Sequence, residues 1–312
     1  MNLHQLLSVR VARRTFSPPS RIEPRAQMRS SRLGAGPATP AVSEPLPTTS
    51  TTYTAKLLAT RRFWSPLLIL SVWQWAVQGF GWGDGFVPAP TEVAQALVTW
   101  IAGPAGRYSG TWFASAGDSA MRVLCGFLVA LAIGAPLGIL IGRSRWTADL
   151  LDPLLQGVRP IPTASWIPFC LIFFGIGTRA AIALVAVGAF FPIVLNATAG
   201  ARQVSRLHLR SARMLGASPT ATLWRVVLPS ALPSLLVGAR VALGLAWMLV
   251  VISEMVAVKS GLGFELWDAY YYNRMDVVVA AMFTVGVFGF LSDRLLQLVA
   301  RRFLFWTPEG QS

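Results

Sequence analysis

Residues 205–233 read SRLHLRSARMLGASPTATLWRVVLPSALP, a polar, arginine-rich island set between long apolar runs. Leu207, Leu209, Ala212, Met214 and Leu215 give a short helix an apolar stripe. Gly216 follows where a helix C-terminus favours a residue that accepts positive φ. Ser218 then offers an N-cap, and Pro219 suits a first helical position, where its missing N–H costs nothing. A second short helix is predicted from there to Pro229, where it must stop or bend. The island holds no acidic residue. Two short helices at a fixed angle, carried between spans, make an element shaped to press on a partner.

The flanking sequence is that of an all-α membrane protein. The 312 residues are 54% hydrophobic and 13% charged, with a mean hydropathy of +0.55, whereas soluble domains carry about 25% charged residues. Uncharged runs at Phe63–Gly83, Val123–Ile141, Pro160–Thr178 and Ala180–Ala201 reach or approach the length needed to cross a bilayer as helix, about 20 residues. Ser230–Ala257 is interrupted by Arg240 and Glu254, and Val277–Ser292 is short unless Arg294 snorkels. Six transmembrane helices are predicted, at about 63–80, 118–141, 160–177, 180–200, 234–257 and 277–299. Soluble helices are seldom apolar on every face over such lengths.

Arginine placement sets the orientation. Arg143, Arg145, Arg159, Arg202, Arg206, Arg210, Arg213, Arg225, Arg301 and Arg302 fall on one side; Arg107, Arg179, Lys259 and Arg274 fall on the other. That bias predicts cytoplasmic termini and a cytoplasmic 205–233 loop. The net charge of +14 is therefore a topology signal and not a nucleic-acid footprint. Residues 1–62 hold ten basic and two acidic residues, +8 of the total, and no aromatic-basic module accompanies them.

The spacing within the loop resembles the cytoplasmic "EAA" loop of bacterial ABC importer permeases: Glu-Ala-Ala, three residues, Gly, nine residues, Ile, one residue, Leu-Pro. Ala212, Gly216, Val226, Leu228 and Pro229 fall on that pattern, while Arg210 and Ser211 stand in place of its Glu and first Ala. VRPIPTASWIPFCLIFFGIG, LPSALPSLLVGARVALGLAWMLVVISEM and SGLGFELWDA resemble the nitrate/sulfonate/taurine branch, so the likeness runs from about Phe63 to Trp306. The resemblance implies a MetI-like permease architecture over residues 56–306, with a coupling loop at about 201–233, a disordered basic leader at 1–55 and a short tail at 307–312. It implies Arg210, Ala212, Leu215, Gly216, Ala217, Val226, Leu228 and Pro229 as the contact with a separate ATP-hydrolysing subunit. The other implied partners are a periplasmic or lipid-anchored substrate-binding protein, a second permease copy and membrane lipid. The solute would be a small anion, crossing a bacterial inner membrane by alternating access powered in trans.

Elsewhere the chain offers less specific signals. Residues 1–55 lack apolar periodicity and an h-region. Three readings of them stand: a disordered cytoplasmic tail, a start placed too far upstream, or a transit-peptide-like composition. Pro88 and Pro90 make an extended connection resembling the family's external LPSP segment, with Thr91 as a cap and Glu92 at the positive end of a short helix. Trp146, Leu150, Leu151, Leu154 and Leu155 give 145–159 one apolar side, as in an interfacial helix. The Pro160, Pro162, Pro168 cluster reads either as a broken helix at the pathway wall or as an entry bend anchored by Trp166.

No catalytic constellation is present. Lys56 and Lys259 are the only lysines, and neither lies in a phosphate-binding loop. Cys125 and Cys170 fall in predicted spans and suit packing, and His4 and His208 form no pair, so no cofactor and no metal is predicted. Ionisable and polar groups inside spans are functional candidates: Glu254, Arg122 and Asn196, with Pro162 and Met248 beside them, as pathway residues. Arg240 lies too far along its helix to pair with Glu254. For Arg122 and Arg240 an inter-helix pair competes with a path-facing role, and for Glu254 a structural hydrogen bond does. A secondary transporter, a channel subunit or an assembly factor are the alternative functions, but the sequence has no internal repeat.

Overall fold

The structure, a computed structural model, describes residues 51–80 and 86–303. The leader up to residue 50, Asp84 and its glycine-rich neighbours, and the 307–312 tail lie outside the described residues. The chain runs α1 (Thr51–Phe80), α2 (Pro90–Ala102), α3 (Trp112–Arg143), α4 (Arg145–Val158), a 3-10 turn (Thr163–Trp166), α5 (Ile167–Phe174) and α6 (Thr178–Gln203). It continues through α7 (Arg206–Met214), α8 (Pro219–Thr222), a π turn (Leu223–Val227), α9 (Leu228–Ala257), α10 (Leu262–Tyr271) and α11 (Met275–Phe303). No strand occurs among the described residues.

Four stretches among the described residues are long and apolar enough to cross a membrane: Trp112–Arg143, Thr178–Gln203, Pro219–Ala257 and Met275–Arg302. A bent pair, Arg145–Val158 with Thr163–Phe174, makes a possible fifth, turning through 96°. The expected third span at 160–177 is thus corrected. Its only α-helix is the 8-residue α5, about 12 Å long and too short to cross alone. Pro160 and Pro162 each remove an N–H donor before α5, while Pro168 falls in the first turn of α5, where the missing N–H costs nothing. The described backbone is helical from Thr51 onward.

The centre of the molecule is α6, packed along α3 on one side and α9 on the other. On α3 the buried residues Gly126, Ala130, Gly134 and Gly138 recur every fourth position, and this small-residue stripe lets the two backbones approach closely. The approach permits a direct inter-helix bond, in which Thr198 Oγ1 donates to the Gly138 carbonyl at 3.1 Å. Outward faces stay apolar: Leu128 and Ile133 on α3, and Met282, Phe283 and Leu295 on α11, are all exposed. Such surface is stable only against hydrocarbon.

Candidate functional site

At one end of the bundle α7 ends in a complete Schellman turn. Gly216 N–H donates to the Arg213 carbonyl and Ala217 N–H to the Ala212 carbonyl, both at 3.0 Å, which satisfies carbonyls a helix end would leave bare. Gly216 sits at φ +77° with open space around a would-be Cβ, so glycine is required by backbone conformation and not by crowding. Ser205 caps α7 by accepting from Leu207 N–H, and Ser218 caps α8 by accepting from Ala221 N–H.

The second loop helix, expected to stop or bend at Pro229, continues through a π turn into α9. The reason is the π turn: Leu228 N–H bonds back five residues to the Leu223 carbonyl. This wider turn accommodates a proline whose ring would otherwise clash with the carbonyl four residues earlier. The loop is therefore continuous with α9 through unbroken helical backbone.

The predicted stripe of α7 divides between two faces. Leu209 and Ala212 are half-buried against the bundle, whereas Leu207, Met214 and Leu215 are 68%, 86% and 87% exposed. Beside them lies a groove of about 640 Å³ bordered by Ala212, Leu215, Val226, Pro229 and Pro233. Of the expected coupling residues, Ala212, Leu215, Val226 and Pro229 thus meet at one surface. Gly216 and Ala217 form the corner, Leu228 is half-buried in α9, and Arg210 is exposed on another face.

At the opposite end, two predicted residues from different helices prove to be partners. Glu254 is 0% exposed, and its carboxylate accepts from Arg122 Nη1 at 2.6 Å, from Ser119 Oγ at 2.9 Å and from Gly263 N–H at 2.9 Å. Arg122 Nη1 also donates to the Ser260 carbonyl at 2.9 Å, Nη2 to Ser260 Oγ at 2.6 Å and to Asp118 Oδ2 at 3.3 Å, while its Nε is buried with no hydrogen-bond partner among the described residues. Ser119 Oγ in turn accepts from Leu262 N–H at 2.8 Å. The clasp wraps the 258–263 turn around one buried ion pair and ties α3, α9 and α10 together. Gly261, at φ +107°, lies so close to the Glu254 carboxylate that a Cβ would collide with it.

Asn196 does not join this cluster. Its Nδ2 donates to the Pro192 carbonyl of its own helix at 2.9 Å, a local bond within α6. Arg240 pairs with Asp293 of α11 at 2.8 and 3.1 Å, a partner the sequence reading did not single out. Pro162 and Met248 are exposed. Each adjoins a residue (Thr163 and Leu249 respectively) that packs on Gly188 at mid-length of α6.

A second clasp outside the spans was missed by sequence reasoning. Asp268 on α10 accepts from Arg107 Nε at 2.8 Å, Arg107 Nη2 at 3.0 Å and Tyr108 Oη at 2.9 Å. The Arg107 hydrogen bond holds the Asp268 carboxyl below the usual carboxylate range, and burial pushes Glu265, three residues earlier, upward. The α2 helix starts at Pro90, and Glu92 reaches back to the Ala89 N–H at 2.9 Å. Thr91 is not its cap but a partner of Gln74 on α1, at 3.3 Å.

Among the described residues no group of His, Cys, Asp or Glu could hold a metal ion. Residues 134–305 match the model of the family described as binding-protein-dependent transport system inner membrane component. The chain is 36% identical over 226 residues to the taurine transport system permease protein TauC of Escherichia coli strain K12, covering 72% of this chain and 82% of that protein. It is 34% identical over 236 residues to the nitrate import permease protein NrtB of Synechocystis sp., covering 73% and 83%. Among solved structures, an inward-facing conformation of the MetNI methionine ABC transporter is similar at a TM-score of 0.51 and 23% identity, covering 62% of this chain and 94% of that one. At that identity the likeness speaks for the fold alone.

Proposed function

The chain belongs to the binding-protein-dependent transport system inner membrane component family, and from that membership we propose that it forms the path for a small anionic solute, a sulfonate such as taurine or nitrate, across an inner membrane. It is the non-catalytic membrane subunit; ATP is hydrolysed by a separate subunit, and a substrate-binding protein delivers the solute. The single observation that carries the coupling role is the α7–Gly216–α8 corner, with Leu207, Met214 and Leu215 exposed beside an apolar groove. Exposed apolar surface at the polar end of a membrane bundle needs a protein cover.

In this reading the ATPase subunits grip the corner, and their closure moves α8 and α9 as one continuous lever. The Arg122–Glu254 clasp keeps the outer ends of α3, α9 and α10 moving as one body. Met248 and Pro162 border the path directly. Glu254, Arg122 and Asn196 support that wall from behind with bonds inside the chain. A second copy of the chain closes the path, and both termini face the cytoplasm.

The test is reconstitution in liposomes. The purified chain alone should hydrolyse no ATP, and turnover should appear only with the ATPase subunit and rise when the loaded binding protein is added outside. Uptake of labelled taurine, an alkyl sulfonate or nitrate then identifies the solute. Solute uptake by the chain without ATPase or ATP would overturn the reading in favour of a secondary transporter.

A further inference from the structure

Four arginines, one at the end of α3 and three on α7, lie off the coupling groove, Arg210 among them although the resemblance placed it at the ATPase contact. Arg143, the last residue of α3, and Arg206, Arg210 and Arg213 of α7 border one pocket of about 190 Å³ together with Leu209. No ion pair among the described residues engages any of the four. On α7 they fall at spacings of four and three, hence on a single face, and that face is turned to α3 and not along the exposed Leu207–Met214–Leu215 surface. All four are exposed, so water and salt weaken their mutual repulsion, and an anion seated among them would relieve what remains.

Directly along α3 lies a second feature. A groove of about 290 Å³ is bordered only by apolar residues, among them Pro136, Ile139, Leu140, Leu223, Trp224 and Leu228. Pro136, Leu140 and Arg143 share one face of α3, and Leu140 precedes Arg143 by a rise of only about 4.5 Å. Trp224, 67% exposed, stands at the groove as an indole does at a membrane interface. An apolar slot that leads within one helical turn into an arginine pocket, at the end of a membrane helix, has the shape and polarity of one ligand class.

We propose that this face binds one anionic phospholipid, with its phosphate among Arg143, Arg206, Arg210 and Arg213 and an acyl chain along the α3 groove. The proposal rests on the reading that α7 lies at the cytoplasmic surface, where anionic headgroups are attracted to basic clusters. Guanidinium forks suit the phosphate oxygens. The bound lipid would neutralise the arginine cluster and brace α7 against α3, fixing the angle at which the coupling corner is presented.

The experiment uses the full chain in a neutral detergent, titrated with dioleoylphosphatidylglycerol or dioleoylphosphatidylcholine and read by native mass spectrometry. One phosphatidylglycerol should be retained about tenfold more strongly than phosphatidylcholine. The Arg143→Gln/Arg206→Gln variant should lose that preference, and the Arg301→Gln/Arg302→Gln variant should keep it. On the unmodified chain, phosphatidylglycerol carrying a photoreactive acyl chain should label residues 135–140 and 223–228. Parity between the two lipids, or labelling confined to other segments, overturns the proposal. Displacement of phosphatidylglycerol by millimolar inorganic phosphate overturns it too, assigning the pocket to a free anion. So does loss of ATPase co-purification in the first variant with lipid retention intact, which gives the arginines to the partner subunit. None of the lipid readouts needs ATP or solute, so their outcome is independent of the transport test.

Discussion

At the scale of single residues, two positions carry most of the expectation. Gly216 holds φ +77° with nothing near its would-be side chain, so Gly216→Val is opposed by backbone conformation alone, about 1–2 kcal/mol. The spans do not depend on this turn. The variant should reach normal membrane levels yet co-purify less ATPase and lose uptake, whereas Arg210→Ala, on another face of α7, should be milder. Unimpaired uptake in Gly216→Val would remove the corner from the coupling mechanism. Glu254 is the opposite case, a charge closed off from solvent and matched to Arg122 at 2.6 Å. Removing one member of such a pair strands the other. Glu254→Ala should therefore lower stability in detergent by about 3–5 kcal/mol, and Arg122→Met/Glu254→Leu should recover much of it. A double variant as unstable as the sum of the two single ones would show that the clasp is not acting as a pair.

At the scale of elements, α10 is held by groups that titrate in opposite senses. Asp268 is depressed by Arg107. Its contribution is complete above the unfolded carboxylate value, about 3.9, and is lost as pH falls through the lower folded value. Arg107 is half-exposed, so the effect is small and screened by salt. Glu265 is raised by burial. The stability it lends is complete below about 4.3 and is lost as pH rises through the folded value. Thermal melts between pH 3 and 7 should show Asp268→Asn flattening the acid limb and Glu265→Gln flattening the limb above it. An unchanged acid limb in Asp268→Asn would mean that α10 is not anchored through Arg107. The π turn before α9 belongs to this scale as well, since it lets a helix expected to stop or bend at Pro229 run on into α9.

At the scale of the whole molecule, one end of the bundle holds Arg143, Arg202 and the α7–α8 corner, and the other holds the clasps of Glu254 and Asp268. The proposed topology, read from the arginine bias, puts the first end in the cytoplasm. In a background lacking Cys125 and Cys170, a cysteine placed at Lys259 should react with an impermeant maleimide added outside. One placed at Arg213 should react only after the membrane is opened. The reverse labelling pattern would invert the topology and, with it, the side from which ATP acts.

The sequence by itself determined the class, through uncharged length, the family, through the resemblance of its motifs, and the Gly216–Ser218–Pro219 turn, because turn chemistry is local. It also pointed to Glu254 and Arg122 as unusual, since a charge within an apolar run is conspicuous wherever it lies. It did not show that the two bond to each other. They are 132 residues apart, and only the packing of α3 and α9 on α6 brings their ends together. Asp293 as the partner of Arg240, and Asp268 as that of Arg107, were hidden for the same reason. The break at 160–177 and the continuity through Pro229 went the other way. Each depended on how the backbone goes on past a proline, in the first case through a 96° bend and in the second through a π turn, and the proline alone does not choose between them.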